Sequence, residues 1–244
     1  MSMVGQAHQL WAPVAALSTS PEVRPPPAKR ALDALGAAGL LVVLAPLLVV
    51  LALAVRLTSP GPVLFRQRRV GRGGVGFDVV KFRTMHRHAE RHLRAVPDLH
   101  ASYVAYGYKL PLGADPRVTR VGAVLRRFDL DELPQLWNVL RGQMSLVGPR
   151  PVREAELARY GGHRCHYEAV RPGMTGLWQV SGRNRLAYDQ RVALDLDYAQ
   201  HLSFGRDLAI LARTLPAMVR GGGSTSSSLE PATEQTAPTG TTGG

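Results

Sequence analysis

From Ala34 to Val55 the chain runs for 22 residues without a charged side chain, long enough to cross the hydrocarbon core of a bilayer as one helix. Read as a cleaved signal peptide, the stretch would be processed at Ala52-Leu53-Ala54, after an unusually long, proline-rich leader. Read by length alone, it is a single spanning helix. Two features point to a third reading. Pro46 sits in the middle, and both flanks are basic: Arg24, Lys29 and Arg30 before it, Arg56, Arg66, Arg68, Arg69 and Arg72 after it. Positive charge marks the cytoplasmic side of a membrane segment, so two basic flanks fit a segment whose ends stay on one side. Each arm around Pro46 is then about 15–18 Å long, half of a ~30 Å hydrocarbon core.

The rest of the chain has the size of one ordinary domain. Residues 58–220 carry apolar periodicity, whereas 1–28, with Pro21, Pro25, Pro26 and Pro27, read as a disordered leader, and 221–244 read as a Gly, Ser, Thr and Pro tail. Lys and Arg number 30 against 18 acidic residues, a net charge of +12. That balance suits nucleic acid, an anionic membrane face or a phosphorylated substrate without choosing among them. The one cysteine, Cys165, excludes an intrachain disulfide.

Val63 to Val70 and Phe77 to Met85 alternate as two strands. The stretch between them, Gly71-Arg72-Gly73-Gly74-Val75-Gly76, matches a dinucleotide-binding fingerprint in letters. That motif must open a helix, and here it leads into a strand, so it reads as a hairpin turn. Lys81 and Arg83 fall on one side of the second strand. Helices are expected over His86 to Leu99, Val118 to Phe128, Val152 to Tyr160, Tyr188 to Leu202 and Asp207 to Val219, with Arg171 to Val180 a loop entering a strand.

The stretch with the most chemistry in it is Phe128 to Pro151. Asp129, Asp131 and Glu132 precede Leu133, Leu136, Trp137 and Leu140, and Gly142 follows, which predicts a helix of about three turns with Pro134 in its first turn. Neighbours on a helix point about 100° apart, so Asp131 and Glu132 face different partners and divide their tasks. The same residues also fit a helix cap, since Asp129 and Glu132 stand at capping-box spacing. After the helix, Met144-Ser145-Leu146-Val147-Gly148-Pro149-Arg150-Pro151 is a tight loop with one arginine between two prolines. A guanidinium held that rigidly suits bidentate phosphate binding.

Asp131-Glu132-Leu133-Pro134-Gln135-Leu136-Trp137-Asn138 through Val147-Gly148-Pro149-Arg150-Pro151 resembles the signature of the bacterial sugar transferases, the monotopic polyprenyl-phosphate phosphoglycosyl transferases. Ser59-Pro60-Gly61-Pro62, Lys81-Phe82-Arg83-Thr84-Met85 and Arg171-Pro172-Gly173-Met174-Thr175-Gly176 extend the likeness from about Lys29 to Val219. It implies a mixed, helix-rich α/β fold: a re-entrant membrane hairpin over 29–57 and a compact cytoplasmic catalytic domain over 58–220, at the cytoplasmic face of the bacterial inner membrane. In that family serine often precedes the proline at the break; here it is Ala45.

The activity implied is transfer of a phosphosugar from a UDP-sugar, of glucose or galactose type, to undecaprenyl phosphate, with release of UMP. Asp131 is then the nucleophile and Glu132 its partner, the two holding Mg²⁺. Arg150, Arg126, Lys81 and Arg83 neutralise phosphate, and Arg171, Arg183 and Asn184 border the nucleotide-sugar pocket. Membrane lipid and downstream glycosyltransferases are implied partners, a homodimer is left open, and nucleic acid is not implied. The alternative from another class is a non-catalytic, membrane-tethered basic adaptor for acidic lipid or nucleic acid.

Overall fold

A computed structural model describes residues 27–105, 110, 115–183 and 186–220. The expected tail, nearly all of the leader, and Asn184 lie outside the described residues.

The apolar stretch forms α1, Pro27–Thr58, with its proline-initiated first turn two residues ahead of the expected start. The segment stays helical through Pro46, so the two arms expected on either side of it belong to one helix. An internal proline removes one hydrogen bond and crowds one carbonyl, which bends a helix without ending it. Val42, Val43, Val49 and Val50 are all more than half exposed. A run of that kind on a folded surface marks a membrane or partner contact.

Both ends of α1 dock on the same body. At its start Lys29 Nζ bonds Asp207 Oδ2 at 2.6 Å and the Val147 carbonyl at 3.0 Å, and Tyr198 Oη donates to the other oxygen of Asp207 at 2.6 Å. Arg30 donates to the Val139 and Leu140 carbonyls at 2.7 and 2.8 Å. Asp33 Oδ1 accepts from Ser145 Oγ and the Leu146 N–H, each at 2.9 Å. At its far end, Val55 packs with Phe82 and Leu125. The charges at 29 and 30, read from sequence as a membrane flank, are thus internal anchors.

The next elements are β1 (Leu64–Val70) and β2 (Gly76–Phe82), an antiparallel hairpin with Leu64 opposite Phe82 and Val70 opposite Gly76. The glycine-rich stretch is its turn: Gly73 and Gly74 take φ of 68° and 73°, which only glycine adopts without strain. Phe77 and Val79 face the main core with Leu136, Val139, Met144, Val147, Tyr198 and Ile210. Short helices follow, α2 (Ala89–Ala95), α3 (Pro97–Ala105) and α4 (Arg120–Arg127), the last capped by Thr119 Oγ1 on the Gly122 N–H at 2.8 Å.

The expected three-turn helix divides into a 3₁₀ segment, Leu130–Gln135, and α5, Leu136–Leu140. Asn138 explains its position. Its Oδ1 accepts from the Val80 N–H at 3.0 Å and its Nδ2 donates to the Asp78 carbonyl at 2.8 Å, so a side-chain amide pairs with the free edge of β2 as a strand would.

Beyond it β3 (Ser145–Val147) pairs in parallel with β4 (Gly173–Thr175). A Cβ on Gly148 would lie 2.4 Å from the Arg171 carbonyl, so this crossing requires glycine. Pro149 has no N–H to extend the ladder. The strand expected to reach Val180 therefore stops, and Leu177–Ser181 forms a helix, α8. The remaining elements are α6 (Glu154–Leu157), a 3₁₀ segment (Ala158–His163), α7 (Arg164–Ala169), α9 (Tyr188–Gln200) and α10 (Phe204–Arg220).

Candidate active site

Three elements converge on the acidic pair. Lys81 continues the core-facing row of Phe77 and Val79 along β2, and the Asn138 clasp sets the 3₁₀ segment across from it. Lys81 Nζ reaches Glu132 Oε1 at 2.6 Å, and Arg150 Nη1 lies 4.0 Å from the same oxygen. Asp131 is the preceding residue of the same 3₁₀ segment. Its nearest cations include Lys81 and Arg126, and Arg126 Nε is fixed by a 2.8 Å bond to Thr84 Oγ1.

These surroundings separate the two carboxyls. Burial pushes Asp131 up to about 6, reinforced by the charge of Glu132 and only partly offset by Lys81 and Arg126. Burial acts on Glu132 too, but the Lys81 ion pair and Arg150 overcome it and hold that carboxyl near 2. At neutral pH Glu132 is a fixed anion, while Asp131 is an ionised carboxylate with an unusually high affinity for a positive partner.

The helix-cap reading does not survive. Asp129 makes no side-chain cap; its carboxylate is paired with Arg183 Nη2, and Glu132 is committed to Lys81.

Asp131, Glu132, Lys81, Arg126 and Arg150 lie together on one cleft of about 1180 Å³. Arg183 reaches its rim between Asp129 and the Ala217 carbonyl (3.2 Å). Two other expected cations are engaged in the fold. Arg83 lines the cleft too, but it is buried, with its guanidinium on the carbonyls of Ser59 (2.5 Å) and Pro62, where it holds the turn leaving α1. Arg171 donates to the Gly142 carbonyl at 2.8 Å and does not line the cleft. Asn184 lies outside the described residues.

Sequence reasoning missed Trp178, whose ring lies 5.7 Å from the Arg150 guanidinium and 5.1 Å from that of Arg191. It also missed Asp195, buried beside Arg150 with Tyr160 Oη on its Oδ2 at 3.0 Å. Burial pushes this carboxyl up to about 8 against the pull of Tyr160 and Arg150. Trp178 stood in the Arg171 to Val180 stretch, where only the arginine was singled out, and Asp195 is a lone acid in a helical pattern with no signal of its own. The same cleft is also lined by apolar side chains, among them Leu40, Leu44 and Leu47 of α1 and Leu215 and Met218 of α10.

Among the described residues no three His, Cys, Asp or Glu side chains form a cage for a metal. Mg²⁺ needs none: it commonly binds one or two carboxylates and completes its shell with water and substrate phosphate oxygens. Asp131 and Glu132 are adjacent carboxylates on the cleft, oxygen donors of the kind this ion takes, so the pair fits it.

The profile of one family, described as bacterial sugar transferase, matches residues 25–221. Over 201 residues the chain is 45% identical to the exopolysaccharide production protein ExoY of Rhizobium meliloti, covering 81% of this chain and 88% of that protein. It is 47% identical over 199 residues to the UDP-glucose:undecaprenyl-phosphate glucose-1-phosphate transferase of Caulobacter vibrioides, covering 78% of this chain and 69% of the relative. It is 41% identical over 199 residues to the undecaprenyl-phosphate galactose phosphotransferase of Salmonella typhimurium, 80% of this chain but only 41% of that longer protein.

Proposed function

The chain belongs to the bacterial sugar transferase family, and from that premise we propose that it transfers a phosphosugar from a UDP-sugar to undecaprenyl phosphate through a covalent intermediate on Asp131. The observation that carries this reading is the cleft itself. It is lined both by a carboxylate pair with Lys81, Arg126 and Arg150 around it and by leucines of α1 and α10. The charged groups suit a nucleoside diphosphate sugar and the leucines a polyprenyl chain.

Asp131 attacks the phosphorus that bears the sugar; the bond from that phosphorus to the bridging oxygen breaks, and UMP leaves with the electron pair. An oxygen of undecaprenyl phosphate then attacks the same phosphorus, displacing the Asp131 carboxylate and forming the diphosphate-linked sugar lipid. Dividing the transfer in two spares the enzyme a direct encounter between two anionic substrates. Arg150 clamps phosphate oxygens, Lys81 keeps Glu132 ionised and oriented, and Arg126 draws Asp131 toward its ionised form. Mg²⁺, held by Asp131 and Glu132, supplies charge neutralisation on the phosphates when bound.

UMP release by the purified protein in nanodiscs, with Mg²⁺, undecaprenyl phosphate and a panel of UDP-sugars, tests the reaction and identifies the donor. No release with any nucleotide sugar from a folded protein would favour the basic adaptor. The elevated Asp131 pKa makes a further demand. An attacking carboxylate is lost as pH falls through about 6, so kcat/KM is expected to drop with unit slope below that value at low Mg²⁺. Raising Mg²⁺ shifts the limb to lower pH. A profile flat to pH 5 at low Mg²⁺ would contradict the assignment.

The placement of α1 supports a monotopic protein on the cytoplasmic face of the inner membrane. A helix crossing a ~30 Å core has its ends on opposite sides, whereas Lys29 and Val55 both contact one body. We read α1 as entering and leaving one leaflet with its bend at Pro46. In a Cys165→Ser background, cysteines introduced as Arg24→Cys and Arg56→Cys are expected to react with an impermeant thiol reagent from the same side of sealed vesicles. Labelling from opposite sides would establish a span.

A further inference from the structure

The loop that carries Arg150 is held by backbone bonds, among them Gly173 N–H to the Pro149 carbonyl at 2.7 Å, by Asp195 on the Arg150 backbone, and from behind by one hydroxyl. Tyr167, on α7, is 2% exposed. Its Oη accepts a hydrogen bond from the Val152 N–H at 3.1 Å. The same oxygen lies 3.1 Å from the Arg150 carbonyl and 3.2 Å from the Val70 carbonyl, which share its one proton. Val70 N–H completes the arrangement by donating to the Val152 carbonyl at 3.0 Å. The backbone groups on both sides of Pro151 therefore meet at one atom. Pro151 has no N–H with which to secure the loop itself. Burial raises the phenol well above its ordinary pKa, so it remains a donor across the working pH range. The ring is steadied by Tyr160, its centroid 5.0 Å away.

We propose that Tyr167 is a positioning residue for phosphate recognition: its hydroxyl fixes the backbone from which Arg150 enters the cleft. The proposal rests on the reading of Arg150 as the phosphate clamp. Trp178 and Glu132 flank the guanidinium, but the direction in which the side chain leaves the backbone is set by the loop. On a side chain about 6 Å long, a rotation of about 10° at the Cα moves the guanidinium by about 1 Å, and misplacement of that order costs up to ~100-fold in rate. No motif in the sequence marks this tyrosine, because its function depends on α7 passing behind a loop fifteen residues earlier in the chain.

The test is Tyr167→Phe, which keeps the ring and removes the oxygen, made in the wild-type protein and in Arg150→Ala. Steady-state kcat/KM for the UDP-sugar and the melting temperature are measured for all four proteins. A fall of about tenfold is expected in the Arg150 protein and none in Arg150→Ala, because contacts that act through one side chain are not additive. The melting temperature is expected to drop by no more than about 2–4 °C. An equal fall in both backgrounds, no fall in either, or a Tyr167→Phe protein that does not fold would assign the hydroxyl to general stability and overturn the proposal. Full kcat/KM in Arg150→Ala alone would remove the clamp itself, a separate failure visible without the tyrosine variant.

Discussion

Asp131→Asn is expected to abolish UMP release, a loss on the order of 10⁴-fold or more, while the protein stays folded and membrane-bound. An amide of the same shape cannot attack phosphorus, and removal of a nucleophile leaves only the residual contribution of binding and electrostatics. The electrostatics of the site predict the stability of this variant as well. The Asp131 carboxyl titrates near 6 in the folded protein, against about 3.9 in an unfolded chain. The folded state therefore binds the proton more tightly, and ionisation at neutral pH works against folding. An uncharged asparagine escapes that cost, so at pH 7–8 the variant is expected to melt at or above the wild-type temperature. An inactive protein that is no less stable separates a lost nucleophile from a damaged fold. Near-normal turnover by Asp131→Asn would move the chemistry to another residue.

Arg150→Ala is expected to carry the next largest loss, about 10²–10³-fold in kcat/KM, the range found when one preorganised donor to a developing anion is removed. The guanidinium stands over the Trp178 ring, 4.0 Å from Glu132, so deletion takes away both a phosphate contact and part of the field that keeps Glu132 ionised. Lys81 still pairs with Glu132 at 2.6 Å, which is why the carboxyl should remain charged and the loss should stop short of that of Asp131→Asn. Arg150→Lys restores the charge without the planar fork and should recover only part of the activity. The measurement is kcat/KM for the donor in all three proteins; full recovery by lysine would reduce the role of Arg150 to that of a point charge.

How far the sequence reveals this arrangement depends on how local each feature is. The hairpin and its glycine-rich turn follow from alternation and from the exclusion of a helix after Gly76. Asp131, Glu132 and Arg150 were legible because they sit in one contiguous stretch with its own turn chemistry. Lys81 was marked by the resemblance of Lys81-Phe82-Arg83-Thr84-Met85, since strand spacing alone reads as a solvated face. Long side chains were placed by tertiary contacts: the guanidinium of Arg171 went to the Gly142 carbonyl, off the cleft, and that of Arg83, which lines the cleft, to the carbonyls of Ser59 and Pro62. The same holds for Lys29 and Arg30, whose partners lie more than a hundred residues away. The expected three-turn helix became a 3₁₀ segment and a short α-helix. Tyr167 and Asp195 were invisible because their roles arise only when α7 and α9 close behind the arginine loop.

The central claim is a covalent bond between Asp131 and the phosphosugar. The most direct measurement is to mix the protein with its UDP-sugar and Mg²⁺ in the absence of any polyprenyl phosphate, quench in acid and map the modified peptide by mass spectrometry. The expected result is one equivalent of UMP released in a burst and a phosphosugar adduct on the peptide containing Asp131, absent in Asp131→Asn and discharged when undecaprenyl phosphate is added. UMP appearing only when the acceptor is present, with no adduct at any time, would mean direct transfer between the two substrates and would contradict the nucleophilic role of Asp131.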